Sequence, residues 1–451
     1  MTPDTADGPP AAERIGGLRG RVVTFPSAPG WPDKVPLVVH DDGIVLWRDG
    51  RIIDVGPASV VLARHPVDVP VTRYGDGLIL PGFIDTHIHA PQTGVIASFG
   101  TRLLDWLERY TFPAESRFDD PELAAAGARF FCDELLRNGT TTAAAYATVA
   151  PQSVDALFAE AARRDMRMIA GKVMMDRHAP DGLLDTVQSS YDDSKALIAR
   201  WHGHGRLGYA ATPRFAITSS PAQLDVAGTL LSEHPDLWLQ THLSENADEI
   251  ATVARLFPEA RNYTDVYARH GLLGPRSLFG HCIHLGEDEL RLLAETGSVA
   301  SLCPTSNLFI GSGLFDLAAL RAADRPVRVA LATDVGGGTS FSMLRTLSLA
   351  YQVMQLKGLN LTGPAGFHWI TRGNADALSL GDRIGSLEPG YEADCVVIDP
   401  GATPLLRHRL AAGDGSAEDM LFALMMLGDD RVVRATYISG RRAHDRGPRS
   451  T

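Results

Sequence analysis

Cysteine is scarce in this sequence: 451 residues hold four, Cys132, Cys282, Cys303 and Cys395. None forms a C-x-x-C pair, which excludes a cysteine zinc cluster and a disulfide framework and fits a reducing compartment. Basic residues are also short, 42 Lys and Arg against 54 Asp and Glu, for a formal net charge of -12. Such a field repels phosphate backbones and anionic lipid, so neither nucleic acid nor a membrane surface is an expected partner. No apolar run is long enough to cross a bilayer. The N-terminal stretch MTPDTADGPPAAERIGG lacks the basic start and apolar core of a signal peptide, and a cytoplasmic protein is expected. Several motifs are missing as well. The absence of G-x-x-x-x-G-K-[ST], H-E-x-x-H, G-x-S-x-G and P-C-x-x-C removes the phosphate-loop, zincin, serine-hydrolase and cytidine-type zinc deaminase readings. A G-x-G-x-x-G match at Gly203–Gly208 follows a helical stretch and leads into a strand, the reverse of the dinucleotide context, and reads as a loop.

What the sequence does contain is the ordinary mix of a globular protein, 45% hydrophobic and 21% charged, long enough for one large domain and a smaller one. Residues 1–16 read as a flexible tail. Residues 17–77 read as short β-runs broken by turns, with Asp41-Asp42-Gly43 and Arg48-Asp49-Gly50 in the position of hairpin turns. From 78 onward eight apolar runs alternate with Ala- and Leu-rich helical stretches: LILPGFIDTHIH, GTTTAAAYATV, MRMIAGKVMMD, RLGYAATPRF, DLWLQTHLSEN, SLFGHCIHL, GSVASLCPTSN and VRVALATDVGG. Eight strands separated by helices predict a (β/α)8 TIM-like barrel over 78–380, with extra loop from Arg177 to Asp193. Residues 381–451 return to strands and turns. Joined to the N-terminal runs, they would form one small composite β-sandwich domain built from both termini.

Barrel enzymes place their reacting groups at the C-terminal ends of the strands. His87 and His89, two residues apart on the first strand, share a face and can reach one ion. His242, with Glu245 three residues on, ends the fifth run; His281 lies on the sixth; Asp334 ends the eighth. Ionisable groups at four strand ends converge on one mouth, and imidazoles with a carboxylate and an open position suit zinc, although iron accepts the same ligands. A divalent cation there would lower the pKa of a bound water from about 15.7 to about 7. Asp334 can ligate the ion and accept the water's proton, and His281 can ligate or polarise the attacking oxygen. Lys172 lies early in the third run, where a metal-bridging carboxylated lysine is not expected, so one ion is the reading. Cys282 and Cys303 are flanked by apolar residues and read as small buried hydrophobes.

These residues resemble the amidohydrolase superfamily, on PGFIDTHIH, His242, His281, Asp334 and the tail segment IGSLEPGYEADCVVID. Within it the chain is similar to the guanine deaminase family, on HIHAPQ, LLDWLERYTFPAESRF, TPRFAITSS, HLSENADEI, SLCPTSNLFIGSG, ATDVGGGTSFSM and LGDDR, from about 78 to about 430. The resemblance implies one zinc ion per subunit held by His87, His89, His242 and Asp334, with His281 beside it. It also implies that Gln92, Arg214 and Phe215 contact a purine and that Glu245 shuttles a proton. His89, His242, Glu245 and Asp334 then complete the substrate-facing set, and Glu245, Asp334 and His281 carry the catalysis. The chemistry agrees: Arg214 offers a fork of donors to a ring carbonyl, Gln92 can donate and accept, and Phe215 can wall a flat base. Deamination of guanine to xanthine and ammonia is the implied reaction, and a homodimer the implied assembly. The alternatives are an aminohydrolase of another ring, such as a pterin or triazine, and a non-catalytic binding barrel.

Overall fold

The computed structural model describes residues 15–27, 35–65, 69–100 and 102–447. Most of the expected N-terminal tail therefore lies outside the described residues, while Ile15 and Gly16, counted with it, already belong to the first strand. That strand, β1 (Ile15–Thr24), pairs with β2 (Val38–Arg48), which turns back into β3 (Arg51–Pro57). The β2–β3 turn is the expected one. Asp49 and Gly50 both take positive φ, 48° and 80°, the geometry that matches the twist of a two-residue hairpin. Asp41-Asp42-Gly43 is not a turn. It runs inside β2 opposite an irregularity in β1, and its carboxylates accept hydrogen bonds across the strands from Arg21 and Arg19, at 2.8 and 2.6 Å. Backbone pairing with β1 on either side, Gly20 opposite Gly43 and Val22 opposite His40, keeps this segment in the strand, which the D-D-G signature does not reveal.

β4 (Val71–Pro81) lies parallel to β1, and the run LILPGFIDTHIH divides at Gly82. Its first residues finish β4 in the outer sheet, and β5 (Phe83–His89) begins the barrel. A Cβ on Gly82 would stand 2.2 Å from Thr141 Oγ1, so the crossing point needs glycine. The barrel continues through β6 (Thr140–Tyr146), β7 (Arg167–Gly171), the short β8 (Val173–Met174), β9 (Leu207–Pro213), β10 (Trp238–Leu243), β11 (Ser277–His281), β12 (Val299–Leu302) and β13 (Arg328–Leu331). All its pairings are parallel, in the order β13-β12-β11-β10-β9-β7-β6-β5, with β8 beside β9. Helices such as Pro121–Arg137, Pro151–Arg164 and Pro221–Glu233 stand between the strands. β14 (Cys395–Ile398), β15 (Val433–Ile438) and β16 (Arg441–Asp445) return to the outer sheet, ordered β16-β15-β14-β4-β1-β2-β3. Both termini therefore build one mixed sheet. Two helices, Pro404–Ala411 and Ala417–Leu427, interrupt the C-terminal strands, and the second packs on helices Met343–Leu356 and Gly363–His368. The expected long loop is shorter than predicted, because Val187–Trp201 is already helical under a Thr186–Ser189 capping box.

Closure of the barrel between β13 and β5 is made largely by side chains. Asn374 donates to the Ile84 and Leu331 carbonyls at 2.7 and 2.8 Å and accepts from Leu331 N–H at 2.9 Å. Asp85 accepts from Thr333 N–H at 3.1 Å, and Asp334 N–H donates to the His87 carbonyl at 2.9 Å. Beneath the mouth, Ile84, Ala144, Ile169, Ala210, Trp238, Leu278, Val299 and Ala330, one from each main strand, form a single buried cluster with Ala375 and Leu378. The barrel is thus a packed core, and polar groups gather beyond its C-terminal rim. No helix among the described residues is long and apolar enough to cross a membrane.

Candidate active site

Strand alternation sends His87 and His89 to one face of β5, where they meet His242 from β10; ligand atoms of all three lie within 4.8 Å of one another. His89 Nε2 is 3.3 Å from His242 Nε2 and 3.2 Å from Asp334 Oδ1, and His87 Nε2 is 3.4 Å from that same oxygen. His281 Nε2 stands 3.8 Å from Asp334 Oδ2. Two buried nitrogens, His87 Nε2 and His89 Nδ1, have no hydrogen-bond partner among the described residues. Buried imidazole nitrogens facing one another around a carboxylate fit a cation, since an ion would satisfy groups otherwise costly to leave bare. The imidazole pKa values agree with a ligand role, which needs neutral rings. Burial lowers His87 below the ordinary histidine value, carries His89 down to about 3, and holds His242 well below that value. Burial alone would raise Asp334, but the His87 and His89 imidazoles outweigh it and hold the carboxyl well below the usual range.

Neighbouring groups orient these rings. His242 Nδ1–H donates to the Arg214 carbonyl at 2.7 Å, and His281 Nδ1–H donates to Asn307 Oδ1 at 2.9 Å, leaving each Nε2 lone pair facing the pocket. Four non-glycine residues at these strand ends take positive φ: Ser244 (50°), His281 (71°), Cys282 (51°) and Asp334 (51°). Backbone strain of this kind gathers where side chains must be aimed rather than merely packed.

Glu245 points into the same cavity. Its Oε1 accepts from Ser312 Oγ at 3.0 Å and its Oε2 lies 3.4 Å from His281 Nε2. Burial, reinforced by the nearby Asp334 charge, raises its carboxyl to about 8, so it can carry a proton near neutrality. The cavity, about 390 Å³, is lined on its chemical side by His89, His242, Glu245, His281 and Asp334 and elsewhere by Gln92, Arg214 and Phe215. Leu103, Trp106, Leu107 and Ile310 supply apolar walls. The candidate site residues expected from the sequence therefore meet at one mouth, except His87, which joins the histidine cluster without lining the cavity.

The sequence reasoning missed Glu115, Asn307 and Ser312. Glu115 is fully buried and holds Arg214 Nη1 at 2.9 and 2.7 Å and Gln92 Nε2 at 2.8 Å. It reaches the site because Leu107–Thr111 forms a wide π-turn ahead of Pro113, whose missing N–H and bulky ring suit a distorted turn. Its signal was the TFPAESRF motif itself, in which a carboxylate stands among apolar residues. Cys303, read as a small apolar side chain, has its sulfur within 4.8 Å of ligand atoms of His87, His281 and Asp334, but donates to the Ser301 carbonyl, and burial keeps it a thiol. Lys172 is buried against Asp185 and takes no part in the cluster.

Residues 78–443 match the amidohydrolase family. The chain belongs to that family. This amidohydrolase is 50% identical over 431 residues to the guanine deaminase of Escherichia coli (strain K12), covering 95% of this chain and 98% of that protein. The structure of E. coli guanine deaminase superposes with a TM-score of 0.93 at 47% identity, covering 96% of this chain and all of that one. A guanine deaminase from C. acetobutylicum with guanine bound in its active site superposes with a TM-score of 0.85 at 29% identity, over 95% and 99% of the two chains. The amidohydrolase is accordingly a metal-dependent hydrolase, and its buried histidine cluster is where an ion fits.

Proposed function

We propose that this enzyme hydrolyses guanine to xanthine and ammonia, using one zinc ion held by His87, His89, His242 and Asp334. The observation that carries the reading is one small cavity in which the histidine–carboxylate cluster faces Glu245 on one side and the Arg214–Gln92–Phe215 group on the other. When bound, the cation supplies Lewis acidity that brings a water's pKa from about 15.7 to about 7. Every other role belongs to side chains. Arg214 donates to the O6 carbonyl, Gln92 meets a ring edge, and Phe215 walls the base.

Water oxygen adds to C2 while Asp334 takes one of its protons and Glu245 delivers a proton to N3. His281, held by Asn307, positions the entering oxygen through its Nε2. Asp334 then passes its proton to the exocyclic nitrogen, the C2–N bond breaks and ammonia leaves, while the added hydroxyl gives its proton to Glu245 as C2 becomes a carbonyl. Adenine carries an amino group where guanine has O6, so it would leave the Arg214 donors unpaired, a mismatch that can discriminate strongly.

A panel of guanine, adenine, pterin and triazine substrates, read by ammonia release with zinc-loaded protein, tests the assignment. Turnover of guanine with little of the others is expected. Preference for another ring would keep the barrel chemistry and overturn the substrate. A cytoplasmic homodimer is part of the same reading, supported by the resemblance to guanine deaminases, and light scattering tests the dimer.

A further inference from the structure

Glu115 performs none of the steps above, yet its carboxylate is the best-paired group in the recognition half of the cavity. It accepts from Arg214 Nη1 with both oxygens and from Gln92 Nε2, with its own side chain wholly buried. Two consequences follow from charge and geometry. The Arg214 guanidinium, stacked 5.6 Å over Phe112, meets the ring with its charge already balanced. The Gln92 amide is also fixed in one sense, nitrogen toward Glu115 and oxygen toward Gly336, where an added Cβ would stand 1.9 Å from that oxygen. In a buried site an unbalanced cation would attract any anion strongly, because little water screens it.

We infer that Glu115 is a positioning residue that sets specificity by charge: by neutralising Arg214 it makes the cavity select a neutral purine and turn away an anionic one. This rests on the guanine reading and extends it to product release. Guanine is neutral near pH 7, whereas xanthine, with a second ring carbonyl drawing electron density from its N–H groups, gives up a ring proton readily. Hypoxanthine keeps the O6 carbonyl and remains neutral. A balanced Arg214–Glu115 pair therefore holds guanine and hypoxanthine but favours departure of the xanthine anion.

The test uses zinc-loaded full-length protein and measures inhibition constants of xanthine and hypoxanthine against guanine turnover, with calorimetric binding alongside. Glu115→Gln is expected to raise the affinity of xanthine relative to hypoxanthine about tenfold, the scale of one uncompensated charge contact. It should also raise KM for guanine while kcat stays within about threefold of wild type, since only the recognition edge changes. Glu115→Asp, which keeps the charge, should restore the wild-type xanthine-to-hypoxanthine ratio. Equal loss of both ligands in Glu115→Gln, with the ratio unmoved, overturns the inference and leaves a merely structural carboxylate. Should Glu115→Gln fail to fold, Arg214→Gln serves in its place. It leaves the carboxylate unbalanced and must move the ratio against xanthine, and an unmoved ratio again overturns the inference. Wild-type protein that neither turns over guanine nor binds these purines would instead overturn the guanine reading beneath it.

Discussion

Replacing Glu245 with Gln removes a proton carrier while leaving its surroundings nearly intact. The amide has the carboxyl's shape, and its oxygen can still accept from Ser312 Oγ, now 3.0 Å from Oε1. The second carboxyl oxygen, 3.4 Å from His281 Nε2, makes no close contact whose loss would disturb the fold. What disappears is a buried acid whose pKa, raised by burial and by Asp334 to about 8, lets it give and regain a proton near neutrality. Positioned general acid–base groups contribute about 10²- to 10⁴-fold, or about 3–5 kcal/mol of barrier. The expected result is a kcat for guanine lowered by about that factor, with KM changed little and bound metal unchanged. Xanthine absorbance and ammonia release give the rate, and elemental analysis of the same samples gives the metal. Turnover within about tenfold of wild type, at full metal content, would refute the proton role. A variant that loses its metal would show that Glu245 acts as a ligand.

Asn307→Leu removes the acceptor for His281 Nδ1–H, 2.9 Å away, and should lower kcat/KM for guanine about 10- to 100-fold with an unchanged melting temperature. Gly280→Ala should cost metal rather than fold: its Cβ would stand 2.5 Å from His87 Cε1, so metal content after purification should fall while circular dichroism stays that of wild type. His368, packed edge-on to Phe25, is lowered by burial, and secondarily by Arg372, to about 4, so the unfolded chain binds its proton first as pH falls. Stability from this group is complete above about 6.5 and lost toward pH 4, so His368→Gln should shrink the acid-induced loss in urea-melt stability between pH 7 and 4.5 by about 2 kcal/mol.

The barrel was legible because each of its strands is a buried apolar run, and parallel strands buried on both faces advertise themselves by hydrophobicity alone. The clustered ionisable residues were legible for a related reason: His87, His89, His242, His281 and Asp334 are stranded at the ends of such runs. What stayed hidden depends on contacts between distant parts of the chain. Asp41-Asp42-Gly43 has the composition of a turn, and only its pairing with the distant residues of β1 makes it a strand. The split at Gly82 is set by how closely Thr141 approaches, which no local pattern records. The helices Pro404–Ala411 and Ala417–Leu427 lie between the two runs that read as strands, IGSLEPGYEADCVVIDP and VVRATYISGRRA, inside a stretch expected to be a β module. Glu115, 99 residues from Arg214, carries no periodic signal at all.

The division of labour within the site follows from the same distinction. The groups proposed to do the chemistry ride on strand ends, where left-handed backbone at His281 and Asp334 aims them inward at a cost of about 1–3 kcal/mol each. A packed barrel can bear that strain because the apolar layer beneath, one side chain from every main strand, holds the strands that carry these residues. Recognition is built differently. Gln92 follows β5 and Arg214 follows β9, while the carboxylate that pairs with both arrives on a separate segment distorted by a π-turn. On the proposed reading, changes in that segment can therefore alter which ring is held without moving the histidine cluster. The reverse does not hold, since His242 is oriented by the carbonyl of Arg214 itself, and any shift of the arginine backbone reaches the histidine cluster through that 2.7 Å bond. On the proposed reading, substrate choice is thus adjustable from the Glu115 side and constrained from the Arg214 side.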